Sequence, residues 1–358
     1  MPCECNSSSI IRPPRFLFVE GRIVCNLKCD HCNLWKINIP ASECMPTSSR
    51  LDIIDEFASM NQSGQVVTCG AESMLDLENY FAVSKRSHER GLRQLSVVNG
   101  TKIPNDTMAR KMIAEGPDEV SISLDSHIEE RHDKHRGVKG AFMVAIRALR
   151  LLLAARAELG RWDKRIYAML LVYSENYLSL DAAYEFALKE VGVDKLKINM
   201  MQPTFAGHGQ FDPFYDQYHR MDPDLFREHL MACDAKFGLG YNPIWVEQMV
   251  MFLRSLRTET SQKVLERTAE TIEPLCNANE RNIIVTHMGV MKMCFSDRFK
   301  GVQYQAPGDL KRFWETSHDL RRQMTGCKDL CGVSHSMRKE SCTLASKVRL
   351  EAELAKHA

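Results

Sequence analysis

Between Arg15 and Met201, short apolar runs alternate six times with amphipathic segments, and this alternation constrains the fold more than any other feature of the chain. The runs are Phe16 to Val24, Val66 to Cys69, Leu95 to Val98, Glu119 to Leu124, Ile166 to Tyr173 and Leu196 to Met200. Each reads as a short strand. The stretches between them, Leu51 to Met60, Leu75 to Arg90, Pro104 to Glu115, Ala141 to Gly160 and Leu178 to Glu190, read as helices, the third with proline in its first turn. Strands separated by helical segments lie parallel and are joined by crossovers. Six such units predict an α/β fold, a partial (β/α)6 barrel, with function at the C-terminal strand ends.

After Met201 the helical period is lost. Residues 202–224 are rich in Gly, Pro, His, Tyr and Asp, and His208, Asp212, Tyr215, Asp216, Tyr218, His219 and Arg220 could line a loop over the barrel mouth. The alternative for that stretch is a solvated linker. Pro223 to Phe237 and Val246 to Leu256 read as helices. Ile283 to Thr286 and Val290 to Met293 read as a hairpin turning at Gly289, and Leu310 to Met324 as a helix leading to Cys327. The expected organisation is a tail over 1–14, the barrel over 15–222, a helical connection over 223–275, a cysteine-bearing unit over 276–343 and a charged helix or tail over 344–358.

Charge narrows the function classes. Lys and Arg total 47 against 46 Asp and Glu, so no basic excess points to nucleic acid and no acidic excess to disorder. Apolar stretches such as Ala168 to Val172 are too short to span a bilayer, and the N-terminus lacks the pattern of a signal peptide. A soluble cytoplasmic protein is expected. In that compartment 13 cysteines are better read as metal or cluster ligands than as disulfides, because they cluster.

Cys25, Cys29 and Cys32 follow the first predicted strand with the spacing C-x3-C-x2-C. Three thiolates are one fewer than a closed tetrahedral site takes. On a cubane cluster they leave one iron open for a further ligand. The alternative is a zinc site with His31 as fourth ligand, but adjacent His31 and Cys32 reach one tetrahedral ion with difficulty. Further along stand Gly70-Ala71-Glu72-Ser73 after strand two, Asn99-Gly100-Thr101 after strand three, Ser121-Ile122-Ser123-Leu124-Asp125 at strand four, and His132-Asp133 with Arg136-Gly137 beyond it.

Together these motifs resemble the radical S-adenosylmethionine (radical SAM) superfamily. The resemblance implies a 4Fe–4S cluster on Cys25, Cys29 and Cys32, with SAM on the open iron and a 5′-deoxyadenosyl radical as hydrogen abstractor. Gly70, Ala71 and Glu72 stand at the family's Gly-Gly-Glu-Pro motif, which binds the SAM amino group, with Ala for the second glycine and Ser for proline. Asn99 stands at its Thr-Asn-Gly. Ser123 and Arg136 are candidates for the SAM carboxylate or ribose, the guanidinium offering a planar fork. Asp125 either joins them or caps the next segment, and Asn176 matches a further family position.

Cys276 and Cys294, with Gly289 between them, resemble the opening of the SPASM or twitch extension, which carries a second, auxiliary 4Fe–4S cluster. Cys327 and Cys331 would complete four ligands, with Cys342 a possible replacement; zinc on the same residues is the alternative. An auxiliary cluster suggests an electron acceptor. The resemblance to aminocyclitol and carbohydrate dehydrogenases of this superfamily therefore implies two-electron oxidation of an alcohol on a small polyhydroxylated substrate, with flavodoxin or ferredoxin as reductant. Radical epimerisation, peptide maturation, and an electron carrier or redox sensor without turnover are the other readings. The 24 residues before Cys25 leave no room for a peptide-recognition domain, which favours a small molecule. An epimerase needs a hydrogen-atom donor, for which Cys69 and Cys233 are the spare thiols; Arg220 is a further candidate at the mouth.

Overall fold

The computed structural model describes residues 11–37, 39–201, 213–256, 276–295 and 299–325. Six parallel strands form its centre: β1 Phe16–Glu20, β2 Gln65–Cys69, β3 Arg93–Val98, β4 Glu119–Ser123, β5 Arg165–Val172 and β6 Lys195–Met200. They pair in sequence order, with Phe16 beside Gln65, Val67 beside Leu95, Leu95 beside Glu119, Ser121 beside Tyr167 and Met169 beside Lys197. β1 and β6 do not pair with each other, so the barrel is partial. The β1 edge instead takes up β7 Asn282–Val285 in parallel, followed by antiparallel β8 Val290–Lys292 and β9 Val302–Gln303. The hairpin anticipated from the sequence therefore extends the barrel sheet itself. Glu20 fastens it, accepting from the backbone N–H of His287 at 3.1 Å.

Helices α1 Thr47–Met60, α2 Leu77–Glu89, α3 Asp106–Glu115, α4 Glu129–Arg136 and α5 Ala141–Glu158 follow the first strands, and α6 Leu180–Glu185 follows β5. After β6 come α7 Pro213–Tyr218, α8 Pro223–Phe237 and α9 Pro243–Leu256. On α5, Phe142, Ala145, Leu149 and Leu152 recur at helical spacing and are buried against the outer faces of the strands. Full burial of side chains such as Leu149 and Leu152 contributes about 1.5–3 kcal/mol each. The Asp133 carboxylate, from the preceding helix, accepts the Phe142 N–H at 2.8 Å and satisfies an otherwise unpaired donor of the α5 N-terminus.

Three expectations are corrected. β1 ends at Glu20 and not at Val24, because Gly21 turns the chain out of the sheet while its N–H donates to the Cys69 carbonyl at 3.2 Å. The helix expected over Leu178–Glu190 is a one-turn start at Tyr177–Ser179, α6, and a π turn at Phe186–Val191 that closes on Gly192 at φ +85°. The stretch expected as a loop over the mouth is helical at Pro213–Tyr218, and Tyr215, Tyr218 and His219 are buried core residues there. Its earlier members His208 and Asp212 lie outside the described residues.

Candidate active site at the cysteine loop

The sequence from Val24 onward leaves the sheet and is docked on the C-terminal end of α4. The Lys28 N–H donates to the Arg136 carbonyl at 3.1 Å and the Asp30 N–H to the His135 carbonyl at 3.2 Å. Terminal carbonyls of a helix lack partners in their own helix, and here the cysteine loop supplies them. Gly137 follows at φ +66°, and a Cβ on it would lie 2.3 Å from the Lys28 carbonyl oxygen. Only glycine allows that approach. Within the loop, the Cys29 carbonyl accepts from the Trp35 indole at 3.0 Å and from the Cys32 N–H at 3.2 Å. The His135 ring joins the loop to the turn after β5, with Asp30 at 2.9 Å and Glu175 at 3.3 Å.

A pocket of about 260 Å³ opens beneath this loop at the C-terminal strand ends. Its lining includes Cys25, Cys29 and Cys32 from the loop, Ala71 and Glu72 after β2, Asn99 after β3, Ser123 on β4 and Arg136 on α4. These are eight of the residues singled out from the sequence, brought together from five segments. Gly70, the ninth, does not line the pocket but holds the turn behind it at φ +85°. Ala71 follows at φ +38°, the one non-glycine residue with positive φ among the described residues. The departure from a double glycine therefore leaves a strained alanine at the pocket wall.

The polar groups of the pocket are held by one another. The Glu72 carboxylate accepts the Asn99 N–H at 2.7 Å and the Met74 N–H at 3.2 Å, so it ties the ends of β2 and β3 together. The Asn99 side chain donates to Asn26 at 2.9 Å and accepts from Thr101. Burial pushes the Glu72 carboxyl up to about 7 despite those bonds. Arg136 is buried, with Nε 2.7 Å from the Asp125 carboxylate and Nη1 3.8 Å from Cys29 Sγ. Burial opposes the charge on Asp125, but Arg136 outweighs it and holds the carboxyl down at about 2. Asp125 also accepts the Leu171 N–H at 3.2 Å, and the Asn176 amide reaches the Asp125 carbonyl at 3.2 Å and the Leu171 carbonyl at 2.7 Å. Asp125 is thus a positioning residue for Arg136. The Ser-Leu-Asp and Arg-Gly motifs carried the signal for it, since both ends of the pair were already in view.

Burial pushes the Cys29 thiol up to about 12 and raises Cys25 and Cys32 as well. Buried thiolates of this kind form only with a cationic partner, and iron is one. Among the described residues no three His, Cys, Asp or Glu side chains stand close enough to share a single metal ion. A cubane takes one thiolate on each of three separate irons, so spaced thiols around a common pocket fit it.

A second cavity, of about 500 Å³, fills the barrel interior. Alternate residues of the strands face it, among them Phe18, Val67, Cys69, Leu95, Met169 and Lys197. Val97 lines both this cavity and the pocket under the cysteine loop, so the two are neighbours. Cys69 stands in the cavity wall, and burial raises its thiol far above the usual range. The other spare thiol, Cys233, is buried on α8 beside Tyr184 and Tyr241, lining neither space, and Arg220 is exposed and lines neither. Cys276 and Cys294 are partly buried against the core that joins α1 to β7. Cys327, Cys331 and Cys342 lie outside the described residues. Among the described residues no helix is long and apolar enough to cross a membrane.

Residues 23–187 match the Radical SAM superfamily. The chain is 28% identical over 195 residues to an AdoMet-dependent heme synthase of Methanosarcina barkeri, covering 54% of this chain and 52% of that protein. It is 36% identical over 126 residues to an Fe-coproporphyrin III synthase of the same organism, covering 35% of this chain and 30% of that one. The matched stretches thus span about half the length of these relatives or less. Among solved structures, Streptococcus suis SuiB bound to S-adenosylmethionine superposes with a TM-score of 0.60 at 13% identity, covering 87% of this chain and 68% of that one. Native anSMEcpe with bound AdoMet and a peptide superposes with a TM-score of 0.56 at 16% identity, covering 96% and 97%. At such identities the likeness is one of fold: a partial barrel with a C-terminal extension.

Proposed function

We propose, from the radical SAM superfamily domain that residues 23–187 carry, that the chain removes a hydrogen atom from an organic substrate held in the barrel cavity. The observation that carries this reading is the pair of adjoining chambers, one lined by the three cysteines and the polar loops after β2 and β3, the other a substrate-sized cavity, with Val97 in the wall of both. A 4Fe–4S cluster with SAM, when bound, supplies reductive cleavage of the sulfonium and a 5′-deoxyadenosyl radical. Cys25, Cys29 and Cys32 are the residues that would hold the irons. Arg136, fixed by Asp125, and Ser123 offer donors to a carboxylate. Glu72 and the backbone at Ala71 offer acceptors to an ammonium. The strand side chains around the cavity orient the substrate and keep bulk water from it.

The outcome we favour is net two-electron oxidation. Cys276 and Cys294, with Cys327 and Cys331 or Cys342, are the residues that would hold an iron–sulfur electron acceptor. The support is the spacing of these cysteines. The cavity lining joins apolar Phe18, Val67, Leu95 and Met169 to polar Ser96, Ser121 and Lys197, which suits a substrate with both an apolar part and hydrogen-bonding groups. The names of the curated relatives put tetrapyrroles among the compounds to test first. A second reading, radical epimerisation, is favoured by Cys69: its thiol faces the cavity and burial keeps it protonated, the form a hydrogen-atom donor needs.

The test is an iron and sulfide count on anaerobically reconstituted protein, for the parent and a Cys25→Ala/Cys29→Ala/Cys32→Ala variant. About eight irons in the parent and about four in the variant are expected, for two clusters of this type. About four and none would remove the acceptor and leave the Cys69 reading, which one solvent deuterium retained at carbon would support. No bound iron in the parent would overturn the proposal.

A further inference from the structure

The N-terminal end of the barrel cavity is cationic, which the apolar lining above it does not explain. On β6, Lys195, Lys197 and Asn199 line the cavity, joined toward the far end by Ile198 and Met200, while Leu196 is buried away from it. Lys197 reaches across β5, where its ammonium lies over the Tyr167 ring at 4.6 Å, and ion-pairs with Glu119 on β4. Lys195 has no ion-pair partner among the described residues. Two more cations, Arg93 and Arg165, begin β3 and β5 on the inward-facing strand positions and are exposed at the same end. Arg93 is near enough to act electrostatically on Lys197, and both arginines act on Tyr167. These four cations face two carboxylates, Glu119 and Asp194, which also acts on Tyr167, but Asp194 is paired with Arg156, so the field at this end stays net positive. A low-dielectric wall of Val67, Leu95 and Met169 concentrates it.

We infer that Lys195, with Lys197 beside it, binds an oxyanion of the substrate, so that the substrate is an organic acid whose carboxylate lies remote from the carbon that gives up hydrogen. The inference rests on the reading of the barrel cavity as the substrate site. From Glu119 at this end to Ser123 in the pocket under the cysteine loop is four residues of β4, about 13 Å at ~3.3 Å per residue. The acid group is therefore a handle at the far end, and the apolar body spans the middle of the barrel. Lys195 is the residue free to meet the anion. Lys197 is already bound to Glu119, and removing it would strand that carboxylate in a buried site.

The probes are a series of 2-naphthylalkanoates of increasing chain length, each paired with its primary amide, titrated into the anaerobically reconstituted full chain by calorimetry. For the best-fitting member the acid is expected to bind at least about tenfold tighter than its amide, which is about 1.4 kcal/mol. Lys195→Gln should abolish that preference and Lys195→Arg should keep most of it. Equal binding of acids and amides across the series, or a preference unchanged in Lys195→Gln, would overturn the inference. The parent is assayed separately for 5′-deoxyadenosine with SAM and dithionite. A Lys195-dependent acid preference in a parent that cleaves no SAM would support the anion site and overturn the radical reading instead.

Discussion

Replacing Gly137 with alanine tests how the cysteine loop is held. Gly137 sits at φ +66°, where a Cβ would lie 2.3 Å from the Lys28 carbonyl oxygen and 2.8 Å from its carbon. The left-handed backbone costs alanine about 1–2 kcal/mol, of which about 0.4–1 kcal/mol returns through the stiffer unfolded chain. The overlap is with backbone, so relief requires the loop to move. Movement loosens the Lys28 N–H bond to Arg136 and the Asp30 N–H bond to His135, about 1 kcal/mol each. The expected loss is about 2–4 kcal/mol. Gly192 is the control: it lies at φ +85° but a Cβ there meets nothing within 4 Å, so Gly192→Ala should cost about 1 kcal/mol or less. Urea denaturation measures both, and iron content after reconstitution reads the loop directly. Gly137→Ala should retain less iron than Gly192→Ala. Equal stabilities and equal iron in the two variants would refute the docking of the loop on α4.

Further outcomes follow from the same contacts. Asp125→Asn leaves Arg136 buried without its anion and should cost about 3–5 kcal/mol in urea denaturation; a loss under 1 kcal/mol would mean that solvent already screens the pair. Ala71→Gly relieves the strained φ of +38° and should stabilise by about 0.5–1 kcal/mol, whereas a clear destabilisation would show that the alanine methyl packs usefully. His132 is buried, and burial, aided by Arg136 and opposed by Asp125, holds its ring down at about 4 against an ordinary 6.5. Both folded and unfolded forms are neutral at pH 7. Below 6.5 the unfolded chain takes up a proton that the native ring refuses, so stability falls as pH drops from 6.5 toward 4, by up to about 1.4 kcal/mol per unit. Between pH 7 and 4.5 the parent should lose about 2 kcal/mol more than His132→Gln, and parallel curves would sink the assignment.

The parallel sheet was legible because each strand is a compact apolar run with turn residues around it. The cysteine loop was legible because three thiols stand at cluster spacing after the first strand. The loop's support was harder to see. The helix Glu129–Arg136 is almost wholly polar, so no apolar stripe announced it, and its role is played by two terminal carbonyls that any sequence would supply. The role expected for Glu72, with acceptors open to an ammonium, is shared with a structural one, since both its oxygens already accept backbone N–H groups. Lys195-Leu196-Lys197-Ile198 reads in isolation as a strand with one face to water. In a partial barrel that face is the interior, and only the curvature of the sheet turns those lysines toward a cavity. Tyr215 and His219 looked like loop polar groups because aromatic and histidine side chains serve either setting; a short helix buries them, His219 Nδ1 lying 2.6 Å from the Tyr215 carbonyl.

The central claim is that the pocket under the cysteine loop cleaves SAM. The most direct measurement is 5′-deoxyadenosine formed on adding SAM and dithionite to anaerobically reconstituted protein, compared with the Cys25→Ala/Cys29→Ala/Cys32→Ala variant. The account predicts 5′-deoxyadenosine and an equal amount of methionine from the parent and neither above background from the variant. No product from an iron-loaded parent, or undiminished product from the variant, would contradict it.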